Sequence, residues 1–123
     1  MKRILFTNTK ITDLLGHFPN STVPLISCGT LAKSATELPA IVFYMETGIP
    51  SRTQELRYMK IDCYGEDYDS SNLLAETVLE ELNGKDHDIG VMLHCSILEA
   101  QLNPDTKEVN TPIECRLIKI GGA

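Results

Sequence analysis

Residues 38–84 constrain this chain more than any other part of it, because two strand patterns there lead directly into one helix pattern. Leu38-Pro39-Ala40-Ile41-Val42-Phe43-Tyr44 places a proline at a strand mouth, where its missing N–H does no harm, and continues in β-branched and aromatic residues. A strand is predicted over residues 40–46. Turn residues follow in Thr47-Gly48-Ile49-Pro50-Ser51, and a second strand is predicted over residues 54–64. In that strand Met59, Ile61 and Cys63 share one face, while Tyr58, Lys60, Asp62 and Tyr64 share the other. Such alternation describes a sheet with one buried side and one wet or partner-facing side. The helix begins after Gly65-Glu66-Asp67-Tyr68, with Asp69 or Ser70 as the expected N-cap. Leu74, Val78 and Leu82 form its apolar stripe, widened by Ala75 and Leu79, and Glu76, Thr77, Glu80 and Glu81 stay outside. Asn83-Gly84 supplies a left-handed cap. Any fold containing this stretch packs a sheet against a helix.

The flanks extend that plan. Ile4, Ile11 and Leu15, with Leu5 and Leu14 beside them, predict a first helix over residues 2–15 that stops at Gly16. His17 to Pro24 reads as loop, Leu25-Ile26-Ser27-Cys28 as a brief extended run, and residues 29–37 as irregular. Beyond the central helix, residues 90–102 read as extended, with Val91, Leu93, Cys95 and Ile97 opposite Met92, His94, Ser96 and Leu98. Asn103-Pro104-Asp105-Thr106 fits a type I turn. Residues 108–120 return as a strand interrupted by Pro112, which implies an edge strand or a bend. Gly121-Gly122-Ala123 reads as a flexible end. The expectation is one α+β domain over residues 1–123, in the order α-β-β-β-α-β-β. Its sheet is mainly antiparallel, of about four to five strands, with two helices packed on one face.

Composition removes several function classes. The net charge is −6, from 17 acidic and 11 basic residues, and the basic residues form no run longer than Lys2-Arg3. Nucleic-acid affinity comes mostly from Lys and Arg on phosphates, so a direct grip on DNA or RNA is not expected. With no Trp and few aromatics, the chain also lacks stacking platforms for single strands. The start has a basic flank and then only Ile4-Leu5-Phe6 before polar Thr7-Asn8-Thr9-Lys10, too short for a signal peptide. No stretch approaches the ~20 apolar residues of a membrane span. Cys28, Cys63, Cys95 and Cys115 are widely separated, with no C-x-x-C and no zinc-ligand spacing. Free thiols in a reducing cytosol are expected.

Candidate chemistry is thin. His94-Cys95 is the one adjacent His/Cys pair, and neighbours on a strand point to opposite faces, so the two do not form a dyad. Cys95 with Cys63 or Cys115 across the sheet, plus a histidine, would make a soft metal site. The plainer account makes all four cysteines small core hydrophobes. Glu66, Asp67 and Asp69 do not match a calcium-loop template, and the helix dipole explains acidic residues at that place. His87 sits in the polar run Lys85-Asp86-His87-Asp88, where a solvated loop histidine is the ordinary account. There is no G-x-S-x-G elbow, P-loop or G-x-G-x-x-G. No catalytic residue, cofactor site or metal ligand is read, and no enzyme is expected. What remains is amphipathic: Ile49-Pro50 at a loop tip, and Tyr58 and Tyr64 on the non-core face of a strand. Aromatics on such a face mark interfaces, or else Tyr44, Tyr58 and Tyr64 stack across neighbouring strands.

The central stretch resembles the tail-completion family of long-tailed phages and prophages. The resemblance rests on Leu38, Pro39, Ile41, Val42, Phe43 and Tyr44, then Arg57, Tyr58, Ile61, Asp62 and Tyr64, then Leu74, Ala75, Val78, Leu82 and Gly84. The C-terminal hairpin is similar more loosely and the N-terminal helix only in kind. Cys63 stands where the family pattern more often has an apolar residue, and Pro112 interrupts the last strand. The resemblance implies a tail terminator or head–tail joining protein, which closes a ring of about six copies on the head-proximal end of the tail tube. It implies the tail tube protein and the head connector as partners, assembly in the host cytoplasm, and a place in the virion tail, with no membrane partner. DNA would pass through without specific binding, since acidic subunits repel phosphates.

The candidate contact surfaces are the loop of residues 46–54 and the turn of residues 103–110. The residues singled out are Glu46, Gly48, Ile49, Pro50, Arg52, Tyr58, Tyr64, Asn103, Pro104 and Asp105. Other readings stay open: another neck or minor capsid component of the same module, or a small regulatory domain binding a metabolite in a polar-lined pocket. An enzyme would need His94 or His87 to approach a cysteine or carboxylate.

Overall fold

The computed structural model describes residues 2–18, 21–29, 38–47, 57–84 and 91–119. Along them run α1 (Lys2–Thr7), α2 (Thr9–Thr12), β1 (Ile26–Cys28), β2 (Ala40–Thr47), β3 (Arg57–Gly65), α3 (Tyr68–Leu82), β4 (Val91–Ile97), β5 (Gln101–Leu102) and β6 (Val109–Lys119). The fold is α+β. Six strands form one sheet in the order β1-β2-β3-β6-β4, with β5 also paired to β6. β3 is central: Ile61 lies opposite Phe43 of β2 on one side and Ile113 of β6 on the other, both antiparallel.

The sheet is mixed rather than purely antiparallel, because β1 runs parallel to β2 with Ile26 opposite Ile41 and Cys28 opposite Phe43. Three residues carry too little pattern to announce their direction. Backbone bonds set it: Ile41 N–H donates to Leu25 C=O and Gly29 N–H to Phe43 C=O, each at 2.9 Å.

The core lies between the sheet and the helices. α3 contributes Leu74, Ala75, Val78 and Leu82, and the sheet contributes Ile41, Phe43, Met59, Ile61, Cys63, Cys95, Ile113 and Cys115. Leu5, Ile11 and Leu15 from the N-terminal segment join the same cluster. Each large apolar side chain buried this way stabilises the fold by roughly 1.5–3 kcal/mol. The opposite face is uneven. Ala40 and Val42, which alternation places there, are buried, whereas Lys60, Asp62, Tyr64, Asn110, Pro112 and Glu114 are half-buried.

Local chemistry moves three boundaries. The single helix expected over residues 2–15 is two short ones, broken at Asn8. That residue is extended (φ −91, ψ 106) and its Oδ1 accepts from Ile11 N–H at 3.2 Å, so its side chain starts α2 instead of continuing α1. Gly16 is not a stop signal; its N–H donates to Pro39 C=O and its C=O accepts from Leu25 N–H, each at 2.9 Å. The N-cap of α3 is Asp67, not Asp69 or Ser70. Asp67 Oδ1 accepts from Ser70 N–H at 2.8 Å and Ser70 Oγ accepts from Asp67 N–H at 3.4 Å, a reciprocal capping box. At the other end Gly84 takes φ +70, the left-handed cap expected.

Pro112 is not on an edge strand. β6 lies between β3 and the β4–β5 segment, yet Ile97 pairs with Ile113 while Gln101 pairs with Asn110. Residues 98–100 therefore face residues 111–112, a bulge with one extra residue. Leu98 N–H donates to Pro112 C=O at 2.8 Å. A strand residue's N–H and C=O point the same way, so the donor that proline lacks would face this bulge rather than β3. The bulge also divides the extended segment expected over residues 90–102 into β4 and β5; Gly90 and the run 85–90 with His87 lie outside the described residues.

Candidate assembly surface

The turn that joins β5 to β6 is built by Asn103. Asn103 N–H donates to Glu108 C=O and Lys107 N–H donates to Asn103 C=O, both at 2.8 Å. The Asn103 side chain accepts from Asp105 N–H at 3.0 Å and from Thr106 N–H at 3.4 Å. Lys107 takes φ +65 to complete the reversal. The closing bond reaches the fifth residue, so the turn is one residue wider than the type I turn expected. Asn103 is thus spent on the turn itself, and Pro104 and Asp105 form its exposed tip.

Tyr64 belongs to the same end of the sheet, opposite Asn110 on β6 and Ala40 on β2. It is half-buried, and burial pushes its hydroxyl above the ordinary tyrosine range, helped by the charges of Asp62 and Glu108 and by Tyr44. It stays a protonated donor wherever the protein is folded at moderate pH. The tyrosines are not direct cross-strand partners. Tyr44 faces Lys60, Tyr58 faces Glu46 and Arg116, and Tyr64 faces Ala40 and Asn110.

The remaining candidates lie elsewhere. Glu46 and Tyr58 pair backbone to backbone at the opposite end of β2 and β3. Their side chains, and all of Gly48, Ile49, Pro50 and Arg52, lie outside the described residues. Six residue steps along β3 separate Tyr58 from Tyr64, roughly 20 Å at ~3.3 Å per residue. The described candidates therefore form two groups at opposite ends of the strands, not one patch. Sequence reading missed what lies between them: Tyr44, Lys60 and Glu114 share one row across β2, β3 and β6 on the half-buried face. Alternation assigned the face of Lys60, but only the register brings Tyr44 and Glu114 into its row.

The chemical candidates separate. His94 is exposed while Cys95 is buried, so the adjacent pair does not meet. Cys63, Cys95 and Cys115 are core residues, but Cys28 is exposed, a correction to the expectation that all four are buried. It is the last residue of the edge strand β1, where little packs over it. Burial, reinforced by Asp62, pushes the Cys63 thiol far above its usual range, which makes it inert. Glu66, Asp67 and Asp69 are exposed, and Asp67 is engaged in capping α3. Among the described residues no three His, Cys, Asp or Glu side chains converge as metal ligands. No described helix is long and apolar enough to cross a membrane.

No protein-family model matches the sequence, and no curated protein matches it. A solved structure does. A chain of the virion of a native gene transfer agent particle is similar in fold, with a TM-score of 0.58 and 10% sequence identity. The likeness covers 94% of this chain and 90% of that one. At this identity the fold is what the two share.

Proposed function

We propose that this chain is a structural subunit of a phage-like particle, and within it a tail terminator that closes a ring between tail tube and head connector. The observation that carries the reading is the likeness to a virion chain, which spans 94% of this chain and 90% of the other rather than a shared fragment. The strand–strand–helix stretch that resembles tail-completion proteins forms β2, β3 and α3 at the centre of that same fold.

Physics supports the ring. A closed ring needs a heterologous interface, in which one patch meets a different patch of the next copy. The two candidate groups meet that requirement, one at Tyr64 and the exposed Pro104-Asp105 tip of the β5–β6 turn and one at Glu46 and Tyr58 at the other end of β2 and β3. The net charge of −6 suits a lumen along which DNA slides without adhering. On this reading the partners are further copies of the chain, the tail tube protein and the head connector. The part played is mechanical and not catalytic, assembly takes place in the host cytoplasm, and the protein ends in the virion tail.

Light scattering coupled to size exclusion across a concentration range, with negative-stain images of any large fraction, tests the reading. Closed rings of about six copies are the expected result. A strict monomer at high concentration that also fails to cap purified tail tubes overturns it.

A further inference from the structure

We propose that Cys95 and Cys115 form an oxidisable cross-strand pair, the site at which a peroxide or a low-molecular-weight disulfide bonds β4 covalently to β6. The two residues are direct partners in the antiparallel ladder. Their backbones do not bond each other. Cys95 N–H donates to Asn83 Oδ1 at 2.8 Å, on the side of β4 away from β6. Pro112 C=O faces β4, so alternation turns Cys115 toward its other partner, Met59 of β3. In such a non-hydrogen-bonded pair the Cα atoms lie ~4.5 Å apart and the side chains approach more closely than in the bonded kind. That spacing falls within the roughly 4.4–6.8 Å range of disulfides. Cys115 Sγ is 2.6 Å from Cys95 Sγ, leaving about half an ångström to a bond of about 2.05 Å.

The pair is also the right one among the cysteines. Both thiols are free. Cys63, the third buried thiol, faces Ile41 and Thr111 in the ladder, not a cysteine. Cys28 lies on β1 at the far edge of the sheet. Cys95 is on the edge strand β4 and is 6% exposed, while Cys115 is fully covered, so an oxidant arrives at Cys95. The sulfur contact divides their acidity in the same sense, pulling Cys95 down and pushing Cys115 up. Cys95 thiolate attacks a peroxide oxygen, giving a sulfenic acid and one water once the leaving oxygen takes a proton. Cys115 Sγ then attacks that sulfur and displaces the oxygen as a second water. Two thiols and one peroxide become one disulfide and two waters, with the two electrons passed to the peroxide. The product anchors an edge strand to the middle of the sheet, and it does so whether or not the chain assembles into particles.

The test uses the full chain carrying Cys28→Ser, which removes the exposed thiol, treated with hydrogen peroxide and then alkylated in denaturant. The expected product has lost the mass of two hydrogens and accepts one alkyl group instead of three. Digestion is expected to yield a peptide pair joined through Cys95 and Cys115. Melting temperature is expected to rise by about 5–15 °C on oxidation, to return on reduction, and not to respond in Cys95→Ala on the same background. Three alkylated thiols after a peroxide dose that fully oxidises glutathione overturn the proposal, as does a bridge through Cys63. Peptide mapping decides the matter on the parent chain even where Cys95→Ala fails to fold.

Discussion

Ser71 Oγ of α3 and Thr111 Oγ1 of β6 lie 2.7 Å apart, and both residues are buried. Ser71 Oγ also donates to Cys63 C=O on β3 at 2.7 Å, and Thr111 Oγ1 donates to Asn72 Oδ1 at 2.9 Å. Two hydroxyl protons thus serve three contacts, and every contact ties the first turns of α3 to the sheet beneath. Hydroxyls on a core-facing helix residue and a core-facing strand residue are stable here because Cys63 C=O and Asn72 Oδ1 lie within reach of their protons and the two oxygens share the third contact.

Thr111→Val keeps the shape and removes one hydroxyl, taking the donor from Asn72 Oδ1 and one contact from Ser71 Oγ, which keeps its bond to Cys63 C=O. The expected cost is about 1–3 kcal/mol, measured by urea unfolding. Adding Ser71→Ala removes the other end of the Ser71–Thr111 contact together with the bond to Cys63 C=O, so the double variant is expected to lose less than the sum of the two single losses. Strictly additive losses would show that the hydroxyls do not depend on each other.

Gly65 ends β3 directly under the start of α3. A Cβ there would lie 2.5 Å from Ser71 N and 2.6 Å from Ser70 Oγ, so Gly65→Ala must push the helix off the sheet or bend β3. The expected loss is about 1–3 kcal/mol, as for overpacking elsewhere. Gly84→Ala fails for a different reason. Nothing lies within 4 Å, but φ is +70, so the cost is conformational and nearer 1 kcal/mol. The two variants are told apart by Thr111→Val, which couples to the first and adds to the second.

The capping box makes one pH dependence. Hydrogen bonds from Ser70, backbone first and side chain second, hold the Asp67 carboxyl below the usual carboxylate range. Its folded pKa is therefore depressed, so its contribution is present above the unfolded value near 3.9 and is lost as pH falls through the folded one. Asp67→Asn still caps but does not titrate. Stability profiles of the two proteins are expected to differ most at neutral pH and to converge as acid protonates Asp67. Profiles that stay parallel down to about pH 2 would remove Asp67 from the account.

These sites also mark how far the sequence could be read. Period-two alternation at Met59, Ile61 and Cys63 and helical spacing at Leu74, Val78 and Leu82 place the sheet, the helix and the core between them, because burial imposes those periods directly. The parallel pairing of β1 left no such trace, since three residues have no period and their direction depends on hydrogen bonds to Leu25 and Gly29. Asn8 broke a helix whose apolar spacing ran through it, because a side-chain cap competes locally with the next turn. Pro112 announced an irregularity but not its partner, as the bulge lies on the neighbouring strand. The assembly surface was legible least. Asn103 builds its own turn, which its residue type alone did not detail, and the row of Tyr44, Lys60 and Glu114 follows from register alone.

The exposed turn tip gives the assembly reading its most selective test. Asp105 is exposed, and the bonds shaping the turn at this residue use its N–H and not its carboxylate. Asp105→Lys is therefore expected to leave stability within about 0.5 kcal/mol, the usual range for a surface change. If the tip meets the next copy in a ring, reversing its charge is expected to raise the concentration needed for assembly by about tenfold or more, equivalent to ~1.4 kcal/mol. Glu76→Lys makes the same charge change at an exposed position of α3, an element that carries none of the candidate residues, and is expected to assemble like the parent. Light scattering on all three proteins at matched concentrations separates the possibilities. Loss of rings in Asp105→Lys alone places the turn in the contact. Loss in Glu76→Lys alone moves the contact to the helix face and discards the turn.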